Sequence, residues 1–316
     1  MHPFSKKYID FILVLFSLAP VLTHYFLGQM GVNTLLAIWI SAVVFAYGLR
    51  NIIVHFNFAS HENSHFFAIP LAIISPILTF LITDFGADTF VLLYQTLAFL
   101  CIMTLTALVW QQKISTIPLL VIGFIIGLIS TQTPYFILLL LLTPVFLYIL
   151  QAWSGPNLGS TFTGFVLAVW LVYVFKFFVF DESSANAIFT SYLDFVANLL
   201  VFDSIFSIIE LIFIVTVVLL IIIYYIYGYF FNAAKTVKAH AFFVTSSVYS
   251  FLLAIFALVD ISHLPYYASL ISIIFAFQLS IQQSCSKDAT TEWWILSILF
   301  GYVLISVFMP IFHLLY

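Results

Sequence analysis

Residues 204–240 read SIFSIIELIFIVTVVLLIIIYYIYGYFFNAAKTVKAH. From Ile205 to Phe231 the stretch is apolar apart from a few small polar residues and Glu210, and it is closed by Asn232, Lys235, Lys238 and His240. At about 1.5 Å per helical residue the run is roughly 40 Å long, more than the ~30 Å hydrocarbon layer requires. It therefore reads as a tilted transmembrane helix. Lys and Arg are retained on the cytoplasmic side during insertion, so the basic end is expected in the cytoplasm, and alternation orients the other spans.

The rest of the chain is of the same kind. Of 316 residues, 65% are hydrophobic and 6% charged, which is too little charge to build an ordinary water-facing surface. Lipid must be the solvent for most of it, and the continuous apolar runs argue for helices, because barrel strands would alternate in polarity. The fold class is all-α, a polytopic helix bundle forming a single membrane domain over 1–316. A net charge of -4 and the lack of a basic run argue against nucleic acid as a partner. Cys101 falls in an apolar span and Cys285 in an inner loop, so a disulfide between them is not expected. Lys6 and Lys7 ahead of an apolar run imitate a signal peptide, but no small-residue cleavage site follows, and the segment reads as a retained first span.

Spans are predicted at 8–27, 33–49, 66–83, 89–110, 117–130, 135–153, 162–180, 205–231, 241–259, 266–281 and 293–316, about eleven in all. Residues 117–153 are taken as a hairpin of two. Connections are predicted at 51–65, at 154–160 (where Gly155, Pro156 and Gly159 suggest a turn) and at 181–204. In the last of these Ile188, Tyr192, Phe195, Val196 and Leu199 recur at helical spacing, as in a helix lying in the membrane interface. The N-terminus is then cytoplasmic and the C-terminus periplasmic. Lys6, Lys7, Arg50, Lys113, Lys235, Lys238 and Lys287 all fall inside, whereas Asp84, Asp88, Asp181, Glu182, Asp194, Asp203 and Asp260 fall outside. Reading 117–153 as one span would carry Lys235, Lys238 and Lys287 outward, against the positive-inside rule.

Two constellations bear chemistry. Lys176 and Glu210 are the ionisable groups deepest in apolar sequence. Each would cost on the order of 2.5–3.5 kcal/mol alone at mid-membrane, so they are expected to pair. The pair is either structural or part of an outward pocket with Asp181, Glu182, Asp194 and Asp203 at its mouth and His24, His263 or His313 near, a carboxylate set suited to a divalent cation. His61, Glu62, Asn63, Ser64 and His65 spell H-E-x-x-H, which on a helix places two imidazoles on one face for zinc and a Glu to activate water. The competing reading is a connection in which Asn63 or Ser64 caps the third span. Gly123 and Gly127 allow close helix packing, either within the chain or at a dimer face. Gln95 and Gln278 are expected to be interhelical hydrogen bonders rather than pore linings.

The layout resembles a family of uncharacterised polytopic inner-membrane proteins of the Bacteroidetes. The similarity lies in Asn63-Ser64 opening the third span, in Ile122-Gly123-Phe124 through Ile129-Ser130 with Pro134 after it, and in Lys235 and Lys238 before a long apolar region. The resemblance implies a bacterial inner-membrane location and carries no catalytic residue to this chain.

Three functions compete. The first is a protein of envelope biogenesis that handles a lipid-linked or otherwise amphiphilic substrate at the periplasmic face, as transferase or transporter. The second is a non-catalytic membrane subunit packed against protein partners. The third is an intramembrane zinc metalloprotease using His61, Glu62 and His65.

Overall fold

The computed structural model describes residues 3–28, 30–56, 65–83, 87–110, 114–199, 237–260 and 263–285. Among the described residues all regular structure is helical. In chain order the helices are α1 (Pro3–Phe26), α2 (Val32–His55), α3 (His65–Thr83), α4 (Thr89–Val109), α5 (Thr116–Ser130), a 3-10 turn (Pro134–Phe136), α6 (Ile137–Ile149), α7 (Gly155–Val179), α8 (Glu182–Leu199), α9 (Val237–Val259) and α10 (Leu264–Cys285). Among the described residues, five helices are long and apolar enough to cross a bilayer: α2, α4, α7, α9 and α10. Apolar helices of this length make the chain a multi-pass membrane protein. The spans expected at 205–231 and 293–316 lie outside the described residues.

Several boundaries differ from expectation. The second helix continues past Arg50 to His55, because Leu49, Ile52 and Ile53 extend its buried stripe at helical spacing. The predicted turn at 154–160 is mostly helix. Ser154 is the cap, its Oγ accepting from the Asn157 amide at 3.3 Å, and Pro156 sits in the first turn, where its missing N–H costs nothing. Lys238 and His240 belong to the first turn of α9, and Cys285 ends α10 instead of lying in a loop.

The chain divides into two compact units. The first comprises residues 1–100, 219–250 and 265–316. Its core includes Leu13 and Val21 of α1, Ile38, Phe45 and Leu49 of α2, and Ile69, Leu71 and Ile74 of α3. Ser75 Oγ donates across to the Ser17 carbonyl at 2.7 Å. Gly48 lets the Leu100 side chain reach the α2 backbone, since a Cβ there would collide with it. In the same unit Gln278 of α10 donates to Ser246 Oγ (2.9 Å) and Ser247 Oγ (2.8 Å) of α9, and Phe242 packs edge-on to Phe277.

The second unit comprises residues 101–218 and 251–264. Here α5 and α7 pack backbone to backbone. A Cβ on Gly123 would run into the Thr161 carbonyl, one on Gly164 into the Leu120 carbonyl, and one on Gly127 would sit 2.7 Å from the Ala168 Cβ. The small residues therefore serve an intramolecular seam. Gly123 faces Thr161 and Gly127 faces Phe165 and Ala168, so α5 and α7 run parallel. The chain between them must return to its starting end, and α6 is that return stroke. One buried side chain ties this end together: Asn157 Oδ1 accepts from the Ser115 amide (2.8 Å) and Nδ2 donates to the Ala152 carbonyl (2.7 Å). The hairpin expected at 117–153 is present. With 15 and 13 residues, its helices are about 22 and 20 Å long, shorter than a full crossing.

Candidate functional site

At the opposite end of the second unit, three segments far apart in sequence meet around the corner that follows α5. The corner itself is Ser130 to Phe136, with Tyr135 and Phe136 fully buried. Helix α8 docks on it: Ser130 Oγ donates to the Gly127 carbonyl at 3.0 Å, which leaves the Tyr192 hydroxyl to donate to Ser130 at 2.7 Å. Burial pushes the Tyr192 hydroxyl above its ordinary pKa, its bond with Ser130 opposing the shift. The turn between α9 and α10 supplies the third segment, with the His263 ring 4.7 Å from the Tyr135 ring.

The Asp260 to His263 pair is the chemical centre of this corner. Asp260 is 7% exposed, and His263 Nδ1 lies 2.9 and 2.8 Å from its two carboxylate oxygens. With Asp260 ionised, Nδ1 carries the hydrogen and donates, which fixes the tautomer and places the lone pair on Nε2. The His263 side chain is 34% exposed. The carboxylate is thus buried and held, while the imidazole it orients reaches the surface. Such an imidazole can accept a proton from a hydroxyl or, once protonated, donate to an anionic oxygen.

Helix α8 begins at a cap made by its preceding residue: Asp181 Oδ1 accepts from the Ser184 amide (2.6 Å) and the Ser183 hydroxyl (3.0 Å). These bonds to the charged form hold the Asp181 carboxyl below the usual carboxylate range. The predicted stripe of α8 is divided: Ile188 and Phe195 are buried against the unit and Tyr192 is half-buried, whereas Val196 (51% exposed) faces outward, together with Phe189 (50%) and Leu193 (70%). Tyr173 of α7 secures the helix from the other side, its hydroxyl donating to Asn186 Oδ1 at 3.3 Å and its ring 5.5 Å from Phe189.

The residues singled out from the sequence are placed unevenly. Lys176 lies half-buried in the last turn of α7, and among the described residues no ion pair involves it. Asp181 and Glu182 are exposed at the start of α8. Glu210, Asp203, His61 and Glu62 lie outside the described residues, and His65 opens α3. Among the described residues no three His, Cys, Asp or Glu side chains group as metal ligands. The two spanning glutamines also part company. Gln278 bonds between helices as expected, but Gln95, fully buried in α4, has no hydrogen-bond partner among the described residues at either amide atom. The Asp260 to His263 pair was missed as a site. Its only sequence signal is the D-x-x-H spacing in a turn, which one helical or capping turn brings within reach.

In comparison with known proteins, the chain matches no family model, no curated protein and no solved structure.

Proposed function

We propose that this is a bacterial inner-membrane protein of about eleven spans, with its N-terminus in the cytoplasm, that handles a lipid-linked or otherwise amphiphilic substrate at the periplasmic face in envelope biogenesis. One observation carries the proposal. The corner at residues 130–136 bears both an imidazole oriented by a buried carboxylate and, docked beside it, a helix with an outward apolar stripe. An amphiphile needs those two elements together, a polar reader for its head and an apolar surface for its tail. His263 supplies the first, and Phe189, Leu193 and Val196 the second. The corner, the start of α8 and the turn at 260–263 are also the segments that the distribution of Lys and Arg assigns to the outer side.

The test uses the full chain in vesicles containing trace phosphatidylethanolamine with a photoactivatable group on its headgroup. Labelling is expected to concentrate on 130–136 and 183–199, and His263→Ala is expected to lower it several-fold on 130–136. Labelling spread over all exposed helices in proportion to their surface, and unchanged in His263→Ala, would contradict the proposal.

A second reading, a non-catalytic subunit of a larger assembly, is favoured by α7, where Phe162, Val166, Trp170 and Phe175 stand exposed along most of its length. It predicts that a photoreactive residue at 166 or 170 crosslinks to protein instead of lipid.

A further inference from the structure

Helix α8 does more than lie beside a bilayer, because its charge is one-sided. Its inward stripe, Ile188 and Phe195 buried and Tyr192 half-buried, and its outward stripe, Phe189, Leu193 and Val196, are adjacent on the helix surface, so they form one broad apolar arc. Half of that arc is used on the protein and half is left for something else. The outward half continues into the end of α7, where Phe178 and Phe180 are exposed and Phe177 and Phe178 stack edge to face at 5.5 Å. The opposite arc carries Thr190 and Asp194, both exposed, and Asp181 and Glu182 stand exposed at its start. From Phe177 to Ala234 the sequence has no Lys, Arg or His. Helices that dock on anionic membranes carry Lys and Arg along the polar face; here that face holds Asp194 and no base, and Asp181 and Glu182 add two carboxylates at the helix start.

Building on the amphiphile reading, we propose that α8 and the end of α7 form a docking surface for zwitterionic phospholipid, and that the surface discriminates against anionic headgroups. The apolar arc takes up acyl chain. Asp181, Glu182 and Asp194 face the headgroup layer, where they attract the ammonium of phosphatidylethanolamine or phosphatidylcholine and are repelled by the net negative charge of phosphatidylglycerol. The surface thereby fixes which lipid lies next to the Asp260 to His263 corner.

The full chain, with Cys101→Ser and Cys285→Ser, is labelled with a fluorophore at Leu193→Cys or, as a water-facing control, at Thr190→Cys. It is placed in vesicles of equal phosphatidylcholine and phosphatidylglycerol in which only one of the two carries a spin-label quencher. At low salt the phosphatidylcholine quencher is expected to quench Leu193 about threefold more than the phosphatidylglycerol quencher. The ratio is expected to fall toward one at about 0.5 M salt, where screening confines the charges to a few ångströms. It should invert in the double variant Glu182→Lys, Asp194→Lys, two exposed positions whose replacement leaves the core untouched. Equal quenching by both lipids at low salt would overturn the headgroup preference and leave the amphiphile reading standing. If Leu193 is quenched no more than Thr190 by either lipid, α8 does not rest on lipid, and both fall.

Discussion

Two buried glutamines show how much a single side chain can add or subtract inside a lipid-solvated fold. Gln278 spends its amide nitrogen on Ser246 and Ser247, and each of those hydroxyls donates onward to the Phe243 carbonyl at 2.8 and 3.0 Å. Removing the amide breaks a closed set of bonds between α9 and α10. Gln95 is fully buried with neither amide atom bonded to any of the described residues, and a buried polar group in that state costs about 1–3 kcal/mol. The same substitution should therefore act in opposite directions. Gln278→Leu is expected to lower the thermal midpoint in detergent, by about 1 kcal/mol of stability, and Gln95→Leu to raise it. Equal losses in the two variants would show that the Gln95 amide is as well satisfied as that of Gln278. The sequence alone treats the two alike, because each is a lone amide in an apolar run. What separates them is the pair of serines on a neighbouring helix that only the fold brings to Gln278.

Among the helices, the α5 to α7 seam depends on the absence of side chains. Gly123→Ala would drive a methyl group into the Thr161 carbonyl, a backbone atom that can yield only if the helices part. The expected cost is about 2 kcal/mol, set by overpacking, even though alanine is the better helix former. Gly159 in α7 is the internal control. Nothing lies within 4 Å of its would-be Cβ, so Gly159→Ala should gain about 0.5–1 kcal/mol from propensity alone. Guanidinium or thermal unfolding of both variants in the same detergent measures the difference, and similar effects at the two glycines would show that the seam is not closely packed. This element was half legible. Gly123 and Gly127 are visible as small residues four apart, but their partners Thr161, Gly164 and Ala168 declare themselves only when α7 is aligned beside α5. Gly155, Pro156 and Gly159 misled in the other direction. Their composition signals a turn, yet Pro in a first turn behind a Ser cap opens a helix. That 181–204 holds a helix was legible from the spacing of Ile188, Tyr192, Phe195, Val196 and Leu199, but Val196 faces outward, and the docking point at Ser130 has no counterpart in local sequence.

For the molecule as a whole, sidedness is the property on which every functional reading depends. The count of basic residues assigns 110–116 and 154–160 to the inner side and 131–134, 181–204 and 260–265 to the outer. Independently, the second unit joins Ser115 to Asn157 at one end and gathers Ser130, Tyr135, Tyr192 and His263 at the other. Charge bias and packing thus group the same loops, and neither was derived from the other. The parallel run of α5 and α7 explains the agreement: a return stroke at α6 restores the side from which α5 started, whether the short hairpin crosses the bilayer or only enters it. The Asp260 to His263 pair was hidden for a reason that leaves the expectation of sidedness untouched. Charge bias sums over many loops, whereas a site requires one turn to meet another distant in sequence, and no pattern in either turn encodes the meeting. The consequence can be measured in cells. In a chain whose two cysteines are replaced by Ser, Ser183→Cys is expected to react with a membrane-impermeant maleimide added outside the inner membrane. Gly155→Cys, exposed at the start of α7, is expected to react only after the membrane is opened. Reaction of both from outside would mean that α7 does not cross the bilayer, and reaction of both only after the membrane is opened would also contradict the periplasmic placement proposed for α8 and the corner it docks on. The reverse pattern would keep the fold and turn the site toward the cytoplasm, where an envelope substrate would have to be met before export and not after it.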